Sequence, residues 1–168
     1  MQARYIIAAA LAASLAACGG EPAEEVAVDE GDCPPGINAS GGWMSLAAIE
    51  GDPSAVYFEL ENTNERNVMI RAASVSGYEM AALHQVGEWN LQPSMDELMQ
   101  VDVPAGETVV FEPETMHVMA MQPDGTQEVG GEAEATLTFV GGDKCSFPVE
   151  IRAPGDAPGA ATGEGEEE

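Results

Sequence analysis

The amino-acid sequence predicts an all-β domain, built as a Greek-key sandwich or barrel, because three features favour strands over helices. Short runs of β-branched or alternating apolar residues recur along residues 43–152, and Gly, Pro, Asn and Asp separate them. No segment repeats apolar residues at the spacing of a long amphipathic helix. About eight strands at this spacing are typical of a two-layered antiparallel fold.

The first four predicted strands span residues 43–48, 55–62, 67–75 and 78–86. Turn-forming residues separate them: Gly51-Asp52-Pro53, then Asn64, then Gly77. Each stretch between these turns is short and rich in residues that favour strands, so each is predicted as one strand.

The last four predicted strands span residues 107–112, 117–122, 132–140 and 145–152. Apolar and mostly polar side chains alternate in both of the last two segments. In residues 132–140 the apolar ones are Ala133, Ala135, Leu137 and Phe139, and in residues 145–152 they are Phe147, Val149 and Ile151. Because successive strand side chains point to opposite faces, each strand has one apolar face. The two are expected to form a hairpin through residues 141–144.

Residues 1–17 have the composition of an export signal. Arg4 is followed by the apolar run 6–17, which is shorter than the about 20 residues of a membrane-spanning helix. The end of this run, Leu15-Ala16-Ala17-Cys18, resembles the bacterial lipobox, whose cysteine becomes the lipidated first residue. We therefore expect a periplasmic lipoprotein anchored to either membrane through Cys18. The alternative is a plain cleavage site with an incidental cysteine.

Acidic segments flank the predicted domain. Residues 18–32 are expected to be a solvated tether and residues 153–168 a disordered tail, with a single domain at residues 33–152. The sequence has 30 acidic and 5 basic residues and a formal net charge of −25. This charge argues against a nucleic-acid partner. The charge is most simply explained by solubility or by adaptation to a salty or alkaline habitat. The other interpretation is that the acidic surface loosely attracts cations toward the site.

Two cysteines remain once Cys18 is assigned to the lipid. An exported protein can pair Cys33 with Cys145, because its compartment is oxidising. We predict this disulfide, which closes a loop of 111 intervening residues. The alternative is that one thiol binds a metal, although neither lies near the candidate ligands in the sequence.

Both histidines of the chain lie in one pattern with two methionines, His84-x10-Met95-x21-His117-x-Met119. Imidazole nitrogen and thioether sulfur form a borderline-to-soft ligand set, which suits Cu(I) and suits Mg²⁺ or Ca²⁺ poorly. The pattern therefore predicts a Cu(I) site. Each residue also has a structural interpretation, since methionines commonly fill cores and strand histidines commonly form hydrogen bonds.

Strand geometry supports part of this pattern. His117 and Met119 are two residues apart in a predicted strand and should share a face. His84 is expected near the end of its strand, at the rim of the sandwich. Met95 lies in the segment 90–100, which Pro93 interrupts. We expect it on a loop, where its flexible side chain can swing onto a metal ion and off again.

The same spacing resembles the signature of the periplasmic copper chaperone family called PCu(A)C. Residues 55–62 are similar to that family's second strand, residues 103–108 to its Pro-Ala-Gly turn and residues 112–119 to its His-x-Met strand. The resemblance covers residues 37–152. It implies a cupredoxin-like β-sandwich in which His84, Met95, His117 and Met119 bind Cu(I).

The resemblance also implies a function that involves no catalysis. Members of the family hold copper in the periplasm and pass it to an acceptor protein, and they are associated with the binuclear copper centre of cytochrome oxidase. The expected acceptor is therefore the oxidase copper subunit or its assembly factor. Nothing in the sequence indicates an obligate dimer, so a monomer is expected.

The chain departs from the family pattern in three places. Gln85 stands where many members have methionine, and residues 113–116 replace a glycine-rich turn, but neither change removes a ligand. The C-terminal tail contains neither histidine nor methionine, so the second, cupric site of some members is not predicted.

Other classes of protein fit the sequence less well. A blue-copper electron carrier needs a cysteine thiolate beside two histidines, and no histidine or methionine follows Cys145. The Gly-x-Ser-x-Gly motif of one class of serine hydrolases does not occur in this sequence. The remaining alternative is a structural or copper-sequestering lipoprotein without a delivery role.

Overall fold

The structure is a computed structural model that describes residues 32–89 and 92–156. These residues form ten strands and, within the same ranges, no helix. The strands are β1 (Ile37–Ser45), β2 (Ser54–Asn62), β3 (Val68–Val75), β4 (Tyr78–Trp89), β5 (Gln92–Leu98), β6 (Val101–Val103), β7 (Thr108–Phe111), β8 (Met116–Pro123), β9 (Glu132–Phe139) and β10 (Lys144–Arg152). The predicted all-β fold is confirmed.

The predicted export signal, the lipidation site at Cys18, most of the tether and the tail from residue 157 onward lie outside the described residues. Among the residues that are described, no helix has the length and hydropathy to span a bilayer.

The strands form one continuous ladder in the order β5-β4-β8-β2-β1-β10-β9-β3-β6, and β7 also pairs with β2. All pairs are antiparallel except β1 with β10. The ladder folds back on itself, because β3 packs against β4 without pairing with it. This closure gives the two-layered sandwich that the strand spacing predicted.

The core lies between the layers and is built from the apolar faces of the strands. Three phenylalanines form its centre: the ring of Phe58 stacks on Phe111 at a centroid distance of 4.3 Å and is tilted against Phe147 at 4.9 Å. Burial of each such side chain contributes about 1.5–3 kcal/mol. The apolar positions of β9 and β10 all point inward, as their alternation predicted.

Two regions differ from the predicted strands. β1 begins at Ile37, six residues before the predicted start at Trp43, and a register shift between Ser40 and Trp43 accommodates Gly41 and Gly42. Such a bulge breaks the alternation on which strand prediction depends. Two further strands, β5 and β6, occupy residues 92–103, where no strand was predicted. Pro93 is tolerated in β5 because this strand ends the ladder, and an edge strand needs hydrogen bonds on one side only.

Asn62 joins the loops at one end of the sandwich. Its side chain is fully buried, and Nδ2 donates hydrogen bonds to the carbonyl oxygens of Arg66 (2.9 Å), Val103 (3.0 Å) and Pro104 (3.2 Å). Its Oδ1 accepts a hydrogen bond from the backbone N–H of Asn64 at 3.1 Å. One side chain therefore satisfies backbone groups of two loops that are distant in the sequence.

The N-terminal end of the described region is joined to the start of β10. A disulfide bond links Cys33 to Cys145, and a short antiparallel bridge pairs Asp32 with Ser146. Because β1 runs parallel to β10, the chain enters the sandwich beside the start of β10 and leaves it at the opposite end, after Arg152.

Candidate metal centre

Both histidines lie on the central strands of one layer. In the antiparallel register of β4 and β8, His84 is directly opposite His117, and their ring centroids are 5.8 Å apart. Two imidazoles bound to one ion, with metal–nitrogen bonds of about 2.0 Å, can span a centroid distance of about 6 Å. The prediction that placed His84 near the end of its strand is wrong about where the strand ends, since β4 continues to Trp89.

The two methionines of the pattern lie diagonally from His84 on either side. Met119 is opposite Ala82 in the register of β4 with β8, and Met95 is opposite Val86 in the register of β4 with β5. Residues that face each other across strands share a face, as do residues two apart along a strand. We call the side of β5, β4 and β8 that carries His84, Met95, His117 and Met119 the ligand face.

Met95 is therefore placed on a strand and not on the loop that its neighbour Pro93 suggested. The correction has a simple cause, because proline breaks the local strand signal without preventing pairing at a sheet edge. Met95 is nonetheless accessible, since 51% of its surface is exposed.

Burial varies across the ligand face. His117 is 3% exposed, His84 and Met119 are partly buried, and Met95 lies at the surface. An ion held by these side chains would have fixed imidazole ligands on its inner side and a movable thioether on its outer side.

The buried nitrogen atoms of the two imidazoles lack partners. Nδ1 of His84 and Nδ1 of His117 are both inaccessible to solvent, and neither has a hydrogen bond to any described residue. A buried polar atom without a partner costs about 1–3 kcal/mol. A neutral imidazole carries a lone pair on one ring nitrogen, so a metal ion that accepts this lone pair would remove the cost.

The surroundings of His117 favour its neutral form. Burial lowers the pKa of its imidazole below the ordinary value of 6.5, and the nearby His84 lowers it further, since two imidazolium charges would repel each other. The neutral form is the one that binds metals.

An aromatic wall borders the histidines on the β2 side. The ring of Tyr57 lies 6.0 Å from His117 and 4.4 Å from Trp43, and the guanidinium carbon of Arg152 lies 5.6 Å from the centroid of Trp43. Burial raises the pKa of Tyr57. Sequence reasoning missed this wall, because only the register of β1, β2 and β8 reveals that these rings are neighbours.

Glu97 is a second residue that sequence reasoning missed. It lies directly opposite His84 in β5 and so belongs to the ligand face, although its side chain is exposed. Within the described ranges, however, no three His, Cys, Asp or Glu side chains come together as a metal site. A metal at this face would therefore depend on the thioether sulfurs, which select soft ions.

The fold and the site define a class of protein: a cupredoxin-like β-sandwich whose ligand face combines two imidazoles with two thioethers. A sequence model of the LpqE-like lipoprotein family matches residues 37–151, and the chain belongs to this family. The match and the structural neighbours confirm the predicted resemblance to PCu(A)C domains. No curated protein sequence matches the chain significantly.

Several solved structures share the fold. The copper-bound PCuAC domain from PmoF2 is 16% identical, with a TM-score of 0.62 over 74% of this chain and 99% of that domain. The apo form of DR1885 from Deinococcus radiodurans is 16% identical, with a TM-score of 0.55 over 88% of this chain and 97% of its own. Its Cu(I) form is 19% identical, with a TM-score of 0.50 over 72% and 80% of the two chains.

Proposed function

We propose that this protein is a Cu(I) carrier of the bacterial periplasm, which holds one ion through His84, Met95, His117 and Met119 and passes it to an acceptor protein. The observation that carries the proposal is the pair of buried, unpartnered Nδ1 atoms between two methionines on one face of the sheet. The copper content of structurally similar domains supports the choice of ion.

Each ligand has a distinct part in this proposal. The imidazoles of His84 and His117 are fixed by adjacent central strands, and the lowered pKa of His117 keeps that ring ready to bind. Thioether sulfur favours Cu(I) over harder cations. The exposed Met95 is the ligand that leaves first, so that a ligand of the acceptor can replace it.

Copper is the cargo of this protein, and the proposed transfer is an exchange of ligands. No covalent bond of a substrate breaks, so the chain is not proposed to be an enzyme. The acceptor that the resemblance implies is the copper subunit of cytochrome oxidase or an assembly factor for it. A lipid on Cys18 would keep the carrier, as a monomer, at the membrane that holds such an acceptor, and the lipoprotein character of the family supports this.

The test is a competition for Cu(I) between a chromogenic chelator and the mature chain without Cys18. We expect the wild type to hold one equivalent against the chelator and the double variant His84→Ala/His117→Ala to lose this tight binding. Met95→Leu should weaken binding about tenfold, equivalent to about 1.4 kcal/mol, and should speed loss of copper to the chelator.

Met99→Leu is the matched control, because Met99 is 83% exposed and does not belong to the ligand pattern. It should bind copper like the wild type. If the wild type fails to compete with the chelator, the chain is a structural lipoprotein that keeps the fold without the function. If Met95→Leu binds as tightly as Met99→Leu, the four-ligand site is wrong.

A further inference from the structure

Two further methionines continue the row of candidate ligands along β4 and β8. Met80 and Met121 are directly opposite each other in the register of these strands. Met80 is four residues before His84 and Met121 is two residues after Met119, so both lie on the side of the sheet that carries the ligand face.

These two side chains are not needed to fill the core. The core lies on the other side of β4 and β8, where Leu83 and Val118 form a buried cross-strand pair. Met80 is 52% exposed and Met121 is partly buried. Packing, which explains most methionines in β-domains, therefore explains neither residue well.

The thioethers of Met80, Met119 and Met121 can approach a common point. Directly opposite residues have Cβ atoms about 4.5–5.5 Å apart, and diagonal neighbours are about 7–8 Å apart, which long side chains can bridge. The sulfur of Met80 already lies at the β8 strand, since Gln122 Nε2 is 3.5 Å from it. Three rotatable bonds let each side chain adjust to a small ion.

We propose that Met80, Met119 and Met121 form a second site, built from thioethers alone, for a soft monovalent cation such as Cu(I) or Ag(I). Because Met119 belongs to both sites, an ion can move between them while this one sulfur stays bound. The site would then be the station through which copper enters the histidine pair. This role rests on the proposed function, whereas binding of the ion at the three methionines does not.

The experiment uses the chain labelled with [methyl-¹³C]methionine and follows the methyl signals by NMR as Ag(I) is added, since Ag(I) is soft and does not change oxidation state. The His84→Ala/His117→Ala variant removes the imidazole site. In this variant we expect the methyl signals of Met80, Met119 and Met121 to shift and to saturate at one equivalent. When Met80→Leu and Met121→Leu are added to this variant, the methyl signal of Met119 should no longer show saturable binding of Ag(I).

The exposed Met99 is an internal control, and its signal should not follow the same saturation curve. Because His117 is buried, the double histidine variant can lose its fold, so the wild type is titrated as well. In the wild type, a second equivalent of Ag(I) should shift the methyl signals of Met80 and Met121. The variant Met80→Leu/Met121→Leu, which keeps both histidines, should take up one equivalent only.

Signals of Met80 and Met121 that move no more than that of Met99 would overturn the second site and leave the proposed function intact. Failure of the proposed function has a different signature, namely equal Cu(I) affinity in the wild type and in the double histidine variant. The two results are obtained independently, so each idea can fail alone.

Discussion

His117 combines two requirements that usually conflict, burial and a titratable ring. Burial beside Tyr57 and His84 makes the imidazolium form unfavourable, which lowers the pKa of the ring. The same burial leaves Nδ1 without a partner in the described structure. Such a residue destabilises the metal-free fold slightly and gains most when an ion binds it.

The lowered pKa of His117 predicts how the metal-free protein responds to acid. In the unfolded chain the ring titrates near 6.5, whereas in the folded chain it titrates lower. Between these two values the unfolded state binds more protons, so the free energy of unfolding falls as the pH drops below 6.5 and reaches its full value above it. Urea unfolding at pH 7.5 and 5.5 measures this loss.

His117→Asn is the matched variant for this measurement, because it keeps a polar side chain but cannot titrate. We expect its free energy of unfolding to change less between the two pH values than that of the wild type. An equal change in both proteins would assign the pH dependence to other groups.

At the scale of the elements, the candidate site depends on three neighbouring strands, and sequence reasoning could predict only part of it. The period-two rule placed His117 and Met119 on one face, and β8 has this arrangement. The rule cannot predict which strands become neighbours, since residues 90–115 lie between β4 and β8 in the sequence. The pairing of His84 with His117 therefore had to come from the resemblance or from the structure.

The strand β5 shows why local signals were insufficient. Proline and the acidic residues of segment 92–98 have low strand propensity, so the sequence predicted a loop. Pairing with β4 overrides this preference, because the exposed edge position accepts both proline and charged side chains. The hairpin of β9 and β10 was predicted correctly because its strands are adjacent in sequence and alternate clearly.

The loops at the end of the sandwich away from the candidate site depend on the side chain of Asn62. Replacement of Asn62 by Ala would leave three backbone carbonyls without the donor that they share. We expect the free energy of unfolding to fall by about 3 kcal/mol, since each unsatisfied buried group costs about 1–3 kcal/mol. Urea denaturation monitored by tryptophan fluorescence would measure the loss.

Asn38→Ala is the control for this prediction. Asn38 is exposed, and its side chain makes one hydrogen bond, to Glu61. Its replacement should change the stability by less than about 0.5 kcal/mol. Equal effects of the two substitutions would contradict the structural role given to Asn62.

At the scale of the whole molecule, the disulfide between Cys33 and Cys145 and the large negative charge have opposite effects on the stability of the fold. In the described part of the chain one ion pair is formed, between Arg152 and Glu150, so most of the acidic residues are not compensated by close cations. Their mutual repulsion disfavours the compact state. The disulfide opposes this by restricting the unfolded chain.

Removal of the disulfide should therefore lower the stability strongly. For the double variant Cys33→Ser/Cys145→Ala, the loop of 111 residues predicts a loss of up to about 4–5 kcal/mol in the chain-entropy model. Thermal unfolding of the variant and of the wild type, each in oxidising buffer, would measure it. A melting temperature that does not change would mean that the unfolded chain is already restricted in another way.

The parallel pairing of β1 and β10 also determines which way the candidate site points. The imidazoles lie level with Trp43, which pairs with Glu150. Glu150 lies five residues beyond Cys145, a distance of about 17 Å along the strand. With a support attached at residue 32, the candidate ligands would thus lie at the far end of the sandwich, away from the support. A protein fused directly after Arg152 would stand beside these candidate ligands.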